Sequence, residues 1–355
     1  MSSDSSTILL TLRENGQNGG PYVSHQRIID SELSEKYMLK ALMVPRSRVL
    51  LNPLGMRAFV KSIKKENPAF VQVTGLQLEG FLSALACKIA GVKVLLAVHG
   101  SSTQALGMSK LGMCLIKILE HLTMRMSDAS FGVSDYVSSW DICRSSKTYM
   151  GTVYNIPKFQ SVTDKSSDIR SEFNISADDI VIVSTGRITR DKGFDILWEA
   201  IKKAGKAQNV KYLIVGEGEY RQQLLNEVEN SEFKDNVILT GYRADVADIL
   251  NESDIFIICT KHETLCISLL EAADAGLPMV ATDVGGIPEI VDENCGILVE
   301  NENSDEFAKA LTTLIENPEK RKLMGQCGKE KIKTIFDEKQ ILRNLERIYE
   351  GIMKG

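Results

Sequence analysis

Two glutamates eight residues apart, Glu263 and Glu271, flank a stretch of backbone suited to binding phosphate. Glu263 follows a strand-like apolar run at residues 255–258, and Glu271 lies inside the helical stretch that comes next. The first N–H groups of a helix have no intrahelical acceptor and bind anions readily. Here those amides belong to Leu265, Cys266, Ile267 and Ser268. The spacing alone is common in helices, but its placement after a strand favours a long ligand with a diphosphate between a sugar and a ribose.

Two cations, Arg187 and Lys192, lie in the loop that follows another apolar run, residues 180–184. Doubly wound sheets bind ligands outside the carboxyl ends of their strands, and two cations placed there can clamp a diphosphate. A solvated basic loop explains the same residues equally well when they are considered alone.

Glycine turns follow two further apolar runs. Gly216 and Gly218 come after residues 211–215, and a Gly-Gly pair at 285–286 comes after residues 279–281. Glycine permits close approach of the backbone to a ligand. The first turn lacks the full Gly-x-Gly-x-x-Gly of a dinucleotide site, so a plain tight turn is the simpler interpretation of it alone. A structural turn explains the second pair equally well.

The first half offers two similar features at strand ends. Gly19 and Gly20 follow the run at residues 7–12, and His99 follows the run at 92–98. A single histidine is more often packed or solvated than functional. Its position at the carboxyl end of a strand favours a functional role here.

Several metal and catalytic motifs are missing from the chain. There is no Asp-x-Asp, no His-x-x-x-His and no Cys-x-x-Cys, so the sequence predicts neither a metal site nor a cofactor. Phosphate-loop and Gly-x-Ser-x-Gly motifs are also missing. The seven cysteines are odd in number, and no basic, apolar leader opens the chain, which together predict reduced thiols in a cytoplasmic protein.

Strand-like apolar runs alternate with helix-period segments along the second half. The runs occupy residues 180–184, 211–215, 237–239, 255–258, 279–281 and 296–299, and the helical segments include 194–204, 220–230 and 246–250. The first half repeats the pattern more faintly, with runs at 7–12, 70–73 and 92–98 and helices at 54–66 and 80–90. Such alternation predicts a parallel sheet covered on both faces, as in a Rossmann-like doubly wound fold.

Length and charge both indicate two domains. A chain of 355 residues exceeds the usual size of a single core. Residues 1–158 carry a net charge of +7 and residues 159–355 carry −12, with a polar break at 154–166. The predicted organisation is a domain at 1–158, a domain at 159–336 and a C-terminal helix at 337–355. That helix has one apolar stripe: Ile341, Leu345, Ile348 and Ile352.

Taken together, these motifs resemble the retaining glycosyltransferases of family 4, which have the GT-B fold. The Gly-Arg to Lys-Gly motif of that family is matched at 186–193, its Val-Gly-x-Gly turn at 215–218 and its Glu-x7-Glu signature at 263–271. Its opening Gly-Gly and its His-Gly pair are matched at 19–20 and 99–100. The resemblance implies two Rossmann-like domains facing across a cleft, the first binding the acceptor and the second the donor, with the last helix packing back on the first.

The resemblance also implies a role for each matched residue. Arg187 and Lys192 would stabilise the departing nucleoside diphosphate without a metal. Glu263 would hold the donor sugar, Glu271 the ribose, and His99 would sit beside the reacting sugar. Base recognition falls near Arg243, largely through the backbone. The donor would be a nucleotide sugar, with a UDP-sugar favoured, and attack would come from the front face.

One departure from the family pattern concerns the sugar. An aromatic residue and a glycine usually follow the first glutamate, whereas Leu265 and Cys266 occupy that region in this chain. The added Cys266 side chain bears on which sugar is bound rather than on the reaction class.

The acceptor side is basic. Arg57, Lys61, Lys64 and Lys65 cluster on one predicted helix, and the apolar segment 110–126 carries interspersed cations. Such a surface suits peripheral docking on the inner, anionic face of a membrane, where a lipid-linked acceptor would lie; a glycan precursor is the other acceptor predicted. A buried helix beside ordinary solvated lysines is the alternative. No nucleic-acid partner is predicted.

Two rival functions remain open at the level of sequence. One is a sugar-nucleotide epimerase on the same fold, which would need acid and base carboxylates that the first half does not offer. The other is a non-catalytic sugar-nucleotide-binding partner of an active transferase. The retention of Arg187, Lys192, Glu263 and Glu271 argues against the second.

Overall fold

The computed structural model describes residues 6–14, 20–101, 110–157 and 169–354. The chain forms two units: unit 1 is Met1–Ile156 with Glu338–Gly355, and unit 2 is Pro157–Asp337. Each described unit is built on one six-stranded sheet whose neighbouring strands are parallel. This confirms the predicted α/β fold class with two doubly wound sheets.

Unit 1 has the strand order β2-β1-β3-β4-β5-β6. The strands are β1 Thr7–Arg13, β2 Met38–Val44, β3 Phe70–Thr74, β4 Lys93–Val98, β5 Ala129–Gly132 and β6 Tyr149–Thr152. The helices are α1 Gly20–Ile29, α2 Leu33–Lys36, α3 Ser47–Leu50, α4 Pro53–Glu66, α5 Leu78–Ala90, α6 Lys110–Met126, α7 Asp135–Ser138 and α8 Asp141–Arg144. The central strands β3 and β4 are almost wholly buried, as a sheet covered on both faces requires.

Unit 2 has the strand order β12-β11-β10-β7-β8-β9. The strands are β7 Ile180–Thr185, β8 Val210–Val215, β9 Val237–Gly241, β10 Ile255–Ile258, β11 Met279–Thr282 and β12 Gly296–Val299. The helices are α9 Ile169–Glu172, α10 Phe194–Ala204, α11 Arg221–Glu229, α12 Val246–Asn251, α13 Ile267–Ala275, α14 Ile287–Ile290, α15 Ser304–Glu316 and α16 Pro318–Ile335. The order sets β7 between β10 and β8, so the loops that follow these three strands leave the sheet side by side.

The last helix, α17 Glu338–Lys354, returns to unit 1. Its predicted apolar stripe is buried, and Tyr349 is fully buried with its ring edge-on to Phe70 of β3 at 5.0 Å between centroids. Burying a large apolar side chain contributes about 1.5–3 kcal/mol, so the stripe holds the helix firmly. The packing of the C-terminal helix on the first unit is therefore confirmed.

Three strands of unit 1, β2, β5 and β6, are missing from the sequence prediction. β2 lies at the sheet edge, and four of its seven residues are exposed, so it shows no continuous apolar run. β5 is only four residues long and contains serine and glycine. Its place in the sheet comes from pairing with β4, a non-local interaction that local composition does not report.

Candidate active site

The loops after β7 and β10 meet at the carboxyl edge of the unit 2 sheet. Gly193 has a φ of 71°, and a Cβ at this position would lie 1.8 Å from the carbonyl oxygen of Cys259. Only glycine permits both the left-handed backbone and the contact. The Lys261 amide also donates to the Asp191 carbonyl at 3.0 Å, so backbone contacts help to hold the two loops together.

The loop after β8 is locked to the loop after β7 in the same way. Gly216 has a φ of 143°, and a Cβ there would lie 1.9 Å from the Gly186 carbonyl oxygen. A Cβ on Gly218 would lie 2.3 Å from the Ile188 carbonyl oxygen. The structure thus gives both predicted donor-binding glycines a clear packing role between two loops. Contact of either one with a donor stays a prediction.

Lys192 and Glu263, which are 71 residues apart, form an ion pair at this edge. The Lys192 ammonium donates to Oε2 of Glu263 at 2.7 Å, and Oε1 of Glu263 accepts from the Thr264 amide at 3.1 Å. Their side chains are 21% and 18% exposed, so the pair is accessible yet only partly screened. Burial lowers the pKa of Lys192, but the charge and hydrogen bond of Glu263, together with Cys266 and Asp191, raise it, and the net shift is upward. The cation therefore persists at neutral pH.

Arg187 lies in the same loop and is exposed. Within the described residues no carboxylate forms an ion pair with its guanidinium. Burial raises the pKa of nearby Asp191, but the hydrogen bond from Thr189 and the charges of Arg187 and Lys192 lower it by more. Asp191 is thus an ionised neighbour of both cations, and the sequence prediction did not include it. Its position between the two motif residues was the signal available.

The start of α13 presents the predicted phosphate-binding amides. Leu269 and Leu270 already donate to the Cys266 carbonyl, at 3.2 and 3.4 Å, whereas helix geometry leaves Ile267 and Ser268 outside the ladder. Leu265 and Cys266 are buried. Burial raises the pKa of the Cys266 thiol to about 12, with the Glu263 charge adding to the shift, so this thiol is neutral. Its Sγ lies 3.1 Å from the Ser268 hydroxyl.

Glu271 is the fifth residue of α13 and is partly buried. It therefore lies one turn beyond Ile267 on the same helical face. The carboxylate of Glu263 and the side chain of Glu271 thus belong to the two ends of the segment whose amides are free. Their roles toward a donor stay predictions.

Arg243 is committed to neighbours within unit 2. Its guanidinium donates to Asp245 at 2.8 and 2.6 Å and to Glu172 at 2.9 Å, and it lies over the Phe173 ring. This network ties α9 to the loop after β9. Because two carboxylates already bind the side chain, the predicted contribution of Arg243 to base binding would come from its backbone.

The predicted unit 1 residues lie at the carboxyl edge of the other sheet. His99 follows β4 and is 9% exposed, and Gly20 begins α1, while Gly19 lies outside the described residues. A second histidine, His25 of α1, lies beside His99 with ring centroids 6.1 Å apart and planes at 77°. Burial lowers the pKa of His99 well below its ordinary value. Sequence reasoning missed His25 because an isolated histidine in an amphipathic helix carries no distinguishing pattern.

Residues 165–331, nearly all of unit 2, match the family described as Glycosyl transferases group 1. Unit 2 is thus similar to this family over nearly its whole length. The family resemblance inferred from the motifs is thereby confirmed. Among the described residues of the chain, no group of three or more His, Cys, Asp or Glu side chains is arranged to hold a metal ion.

Two similar proteins support this likeness, and the first of them extends it beyond unit 2. The N-acetyl-alpha-D-glucosaminyl L-malate synthase of Bacillus anthracis is 25% identical over 267 residues, which cover 74% of this chain and 69% of that protein. The lipopolysaccharide core biosynthesis glycosyltransferase LpsD of Rhizobium meliloti is 30% identical over 173 residues, covering 48% of this chain and 50% of that protein.

A solved structure shares the fold of the whole chain. The crystal structure of Anabaena Alr3699/HepE in complex with UDP-glucose has a TM-score of 0.78 and 19% identity, and the match covers 99% of this chain and 100% of that one. At this identity the likeness establishes the fold. This fold agrees with the GT-B fold predicted from the sequence motifs.

Proposed function

We propose that this protein is a retaining glycosyltransferase that moves a hexose or N-acetylhexosamine from a nucleotide sugar to a glycan or lipid-linked acceptor. The observation that carries the proposal is the Lys192–Glu263 ion pair, 2.7 Å long, immediately before the free amides of α13. Exposed Arg187 adds a second cation in the same loop. One edge of unit 2 thus offers cations and amides to a diphosphate and a carboxylate to sugar hydroxyls.

The proposed chemistry is electrostatic. As the bond between the sugar C1 and the diphosphate oxygen breaks, negative charge grows on that oxygen, and the preorganised charges of Lys192 and Arg187 stabilise it. The acceptor oxygen bonds to C1 on the same face, and its proton passes to the departing phosphate. No carboxylate acts as a nucleophile, and the cations fill the role that a metal ion would otherwise have.

A UDP-sugar is the proposed donor. The similar Anabaena structure holds UDP-glucose, and the similar Bacillus enzyme is named for an N-acetylglucosaminyl product. Cys266 is buried beside Ser268 in the segment that follows Glu263, so we propose that its side chain narrows the choice of sugar.

We expect a UDP-sugar to raise the melting temperature of the purified protein by several degrees in a thermal-shift assay. A ligand that binds only the folded state stabilises it by about 2.7 kcal/mol at 100 times its Kd. Glu271→Ala should lose most of that shift, whereas Glu229→Ala, an exposed change on α11, should keep it. The expected transfer should continue in EDTA. If neither UDP- nor GDP-sugars move the melting temperature, the proposed donor site is wrong.

For the acceptor side we propose peripheral docking of α6 on an anionic membrane. Its exposed apolar residues recur at helical spacing on one face, namely Leu111, Leu115, Ile118 and Leu122, with exposed fractions of 72%, 60%, 52% and 45%. Lys117 and Arg125 of the same helix are exposed cations. Such a helix suits the plane of a bilayer interface. Within the described residues, no helix has both the length and the apolar character needed to cross a bilayer.

We expect the protein to co-sediment with vesicles rich in phosphatidylserine and not with phosphatidylcholine vesicles. The double variant Leu111→Ser, Leu115→Ser should release it, because each leucine inserted into the interface contributes apolar burial. Leu323→Ser on α16 removes an equally exposed leucine, 63% exposed, and should bind as the unmodified protein does. Equal sedimentation with both lipids would contradict membrane docking and leave the transferase proposal standing.

A further inference from the structure

A chain of buried hydrogen bonds runs from the C-terminal helix to the histidine pair of unit 1. The Tyr349 hydroxyl of α17 donates to Oε1 of Gln72 at 2.7 Å. Nε2 of Gln72 lies 2.9 Å from Nε2 of His25, and Nδ1 of His25 lies 2.9 Å from the Thr11 carbonyl oxygen. Gln72, His25 and Tyr349 are each fully buried. The whole chain therefore lies out of water.

The acceptor at one end fixes the direction of every bond. A carbonyl oxygen only accepts, so Nδ1 of His25 must carry the proton that faces Thr11. Burial lowers the pKa of His25 to about 4, so the ring is neutral and its Nε2 is an acceptor. Gln72 then presents its NH₂ group to His25 and its oxygen to Tyr349. A single tautomer and a single amide orientation satisfy all three bonds.

The His25 ring, fixed by these hydrogen bonds, packs against the ring of His99. The two rings meet edge to face, with centroids 6.1 Å apart and planes at 77°. Gln72 belongs to β3 and Thr11 to β1. The Thr11 hydroxyl also accepts a hydrogen bond from the Thr74 amide at 3.1 Å, which links the two strands. His25 is thus anchored to the rigid sheet rather than to its own helix alone, which is the support that a precise site needs.

We propose that Tyr349, Gln72 and His25 are positioning residues that hold the His99 ring in the orientation required for glycosyl transfer. The inference rests on the proposed function and on the role in sugar transfer that the family resemblance implies for His99. The C-terminal helix thereby takes part in the site through one hydroxyl group. Its contribution is distinct from the apolar packing that attaches the helix.

The hydrogen-bond chain is tested by ¹⁵N NMR of histidine-labelled full-length protein, which contains four histidines. We expect His25, assigned by its loss in His25→Asn, to be neutral with its proton on Nδ1. In Gln72→Glu the new carboxylate accepts from both Tyr349 and His25, so His25 should become a cation near pH 7. A wild-type His25 protonated on Nε2, or a neutral His25 in Gln72→Glu, overturns the chain.

The positioning role is tested by kinetics of Tyr349→Phe against Tyr37→Phe. Both changes remove one buried phenolic hydroxyl from the same ring cluster, where Tyr37 and Tyr349 lie 5.7 Å apart. The Tyr37 hydroxyl has no hydrogen-bond partner within the described residues. We expect kcat to fall about tenfold in Tyr349→Phe with little change in the donor KM, and to be unchanged in Tyr37→Phe.

The outcomes separate the two proposals. An active wild type in which Tyr349→Phe keeps the kcat of Tyr37→Phe overturns the positioning role alone. A rise in the donor KM with unchanged kcat also overturns it, because it indicates altered binding rather than orientation at the reacting sugar. A wild type that transfers no sugar from any nucleotide sugar while His25 shows the expected tautomer overturns the proposed function, and the positioning role with it.

Discussion

Lys192→Ala is expected to lower kcat for sugar transfer about a thousandfold. Lys192 is held 2.7 Å from Glu263 in a partly buried site, so its charge is preorganised and weakly screened. Loss of one such preorganised group from a site of developing charge typically costs a factor of about 10²–10³. The donor KM should change much less, because most of the benefit arises only as the diphosphate departs. Steady-state kinetics with a UDP-sugar measures both constants.

The matched control for this change is Lys261→Ala. Lys261 lies in the neighbouring loop, the one after β10, and pairs with Glu302 at 2.8 Å, with a side chain 18% exposed against 21% for Lys192. Activity should be retained because Lys261 faces α10 and the loop near Glu302 rather than Glu263. If Lys192→Ala stays active, the leaving-group role is wrong. If a partner transferase stays fully active in the presence of Lys192→Ala, the non-catalytic rival is favoured.

Glu263→Gln is expected to lower kcat/KM about a hundredfold. The substitution keeps the shape but removes the charge, and hydrogen bonds to an ionised acceptor are roughly twice as strong as neutral ones. It also leaves the Lys192 ammonium without its counter-charge. The donor's diphosphate then no longer competes with the Glu263 carboxylate for this cation. Part of the loss should therefore be recovered as tighter diphosphate binding, measurable as a lower inhibition constant for UDP. Glu302→Gln, which breaks the comparable Lys261 pair, should have little effect.

The two residues should behave as one unit. In a double-mutant cycle, Lys192→Ala with Glu263→Ala should lose far less activity than the product of the two single losses, since each single change already disrupts the pair. Additive losses would contradict a shared role.

The ion pair should also contribute to folding stability over a defined pH range. Because the folded pKa of Lys192 lies above its ordinary value of 10.5, the stabilisation from the pair is present through neutral pH. It is lost only as the pH rises through that raised value.

Much of the site was predictable because its parts are local. The Glu263 to Glu271 segment, the Arg187 to Lys192 loop and the glycine turns each occupy one stretch of chain directly after an apolar run. Continuous apolar runs and helical patterns report such local order reliably, and the strands β10 and β12 and the helix α10 begin and end at the predicted residues. The C-terminal helix was equally clear, because its stripe has a strong 3.6-residue period.

Other features depended on partners that are distant in sequence. Arg243 was predicted near the base, yet Glu172 and Asp245 engage its side chain, and Glu172 lies 71 residues away. β2 and β5 belong to the sheet through pairing with β1 and β4 rather than through their own composition. His25 becomes a neighbour of His99 only because α1 packs on the sheet beside the end of β4.

The sequence by itself determined the family resemblance, the order of the motifs and the kinds of charge that each loop carries. The tertiary structure decided which of those charges meet. The strand order β10-β7-β8 joins Lys192 to Glu263, and parallel pairing across a sheet is invisible to any local pattern. Tyr349 likewise reaches His25 only through Gln72, in the middle of unit 1. The physical reason is the same in both cases: periodicity reports which face a residue turns inward, and only packing reports what it meets there.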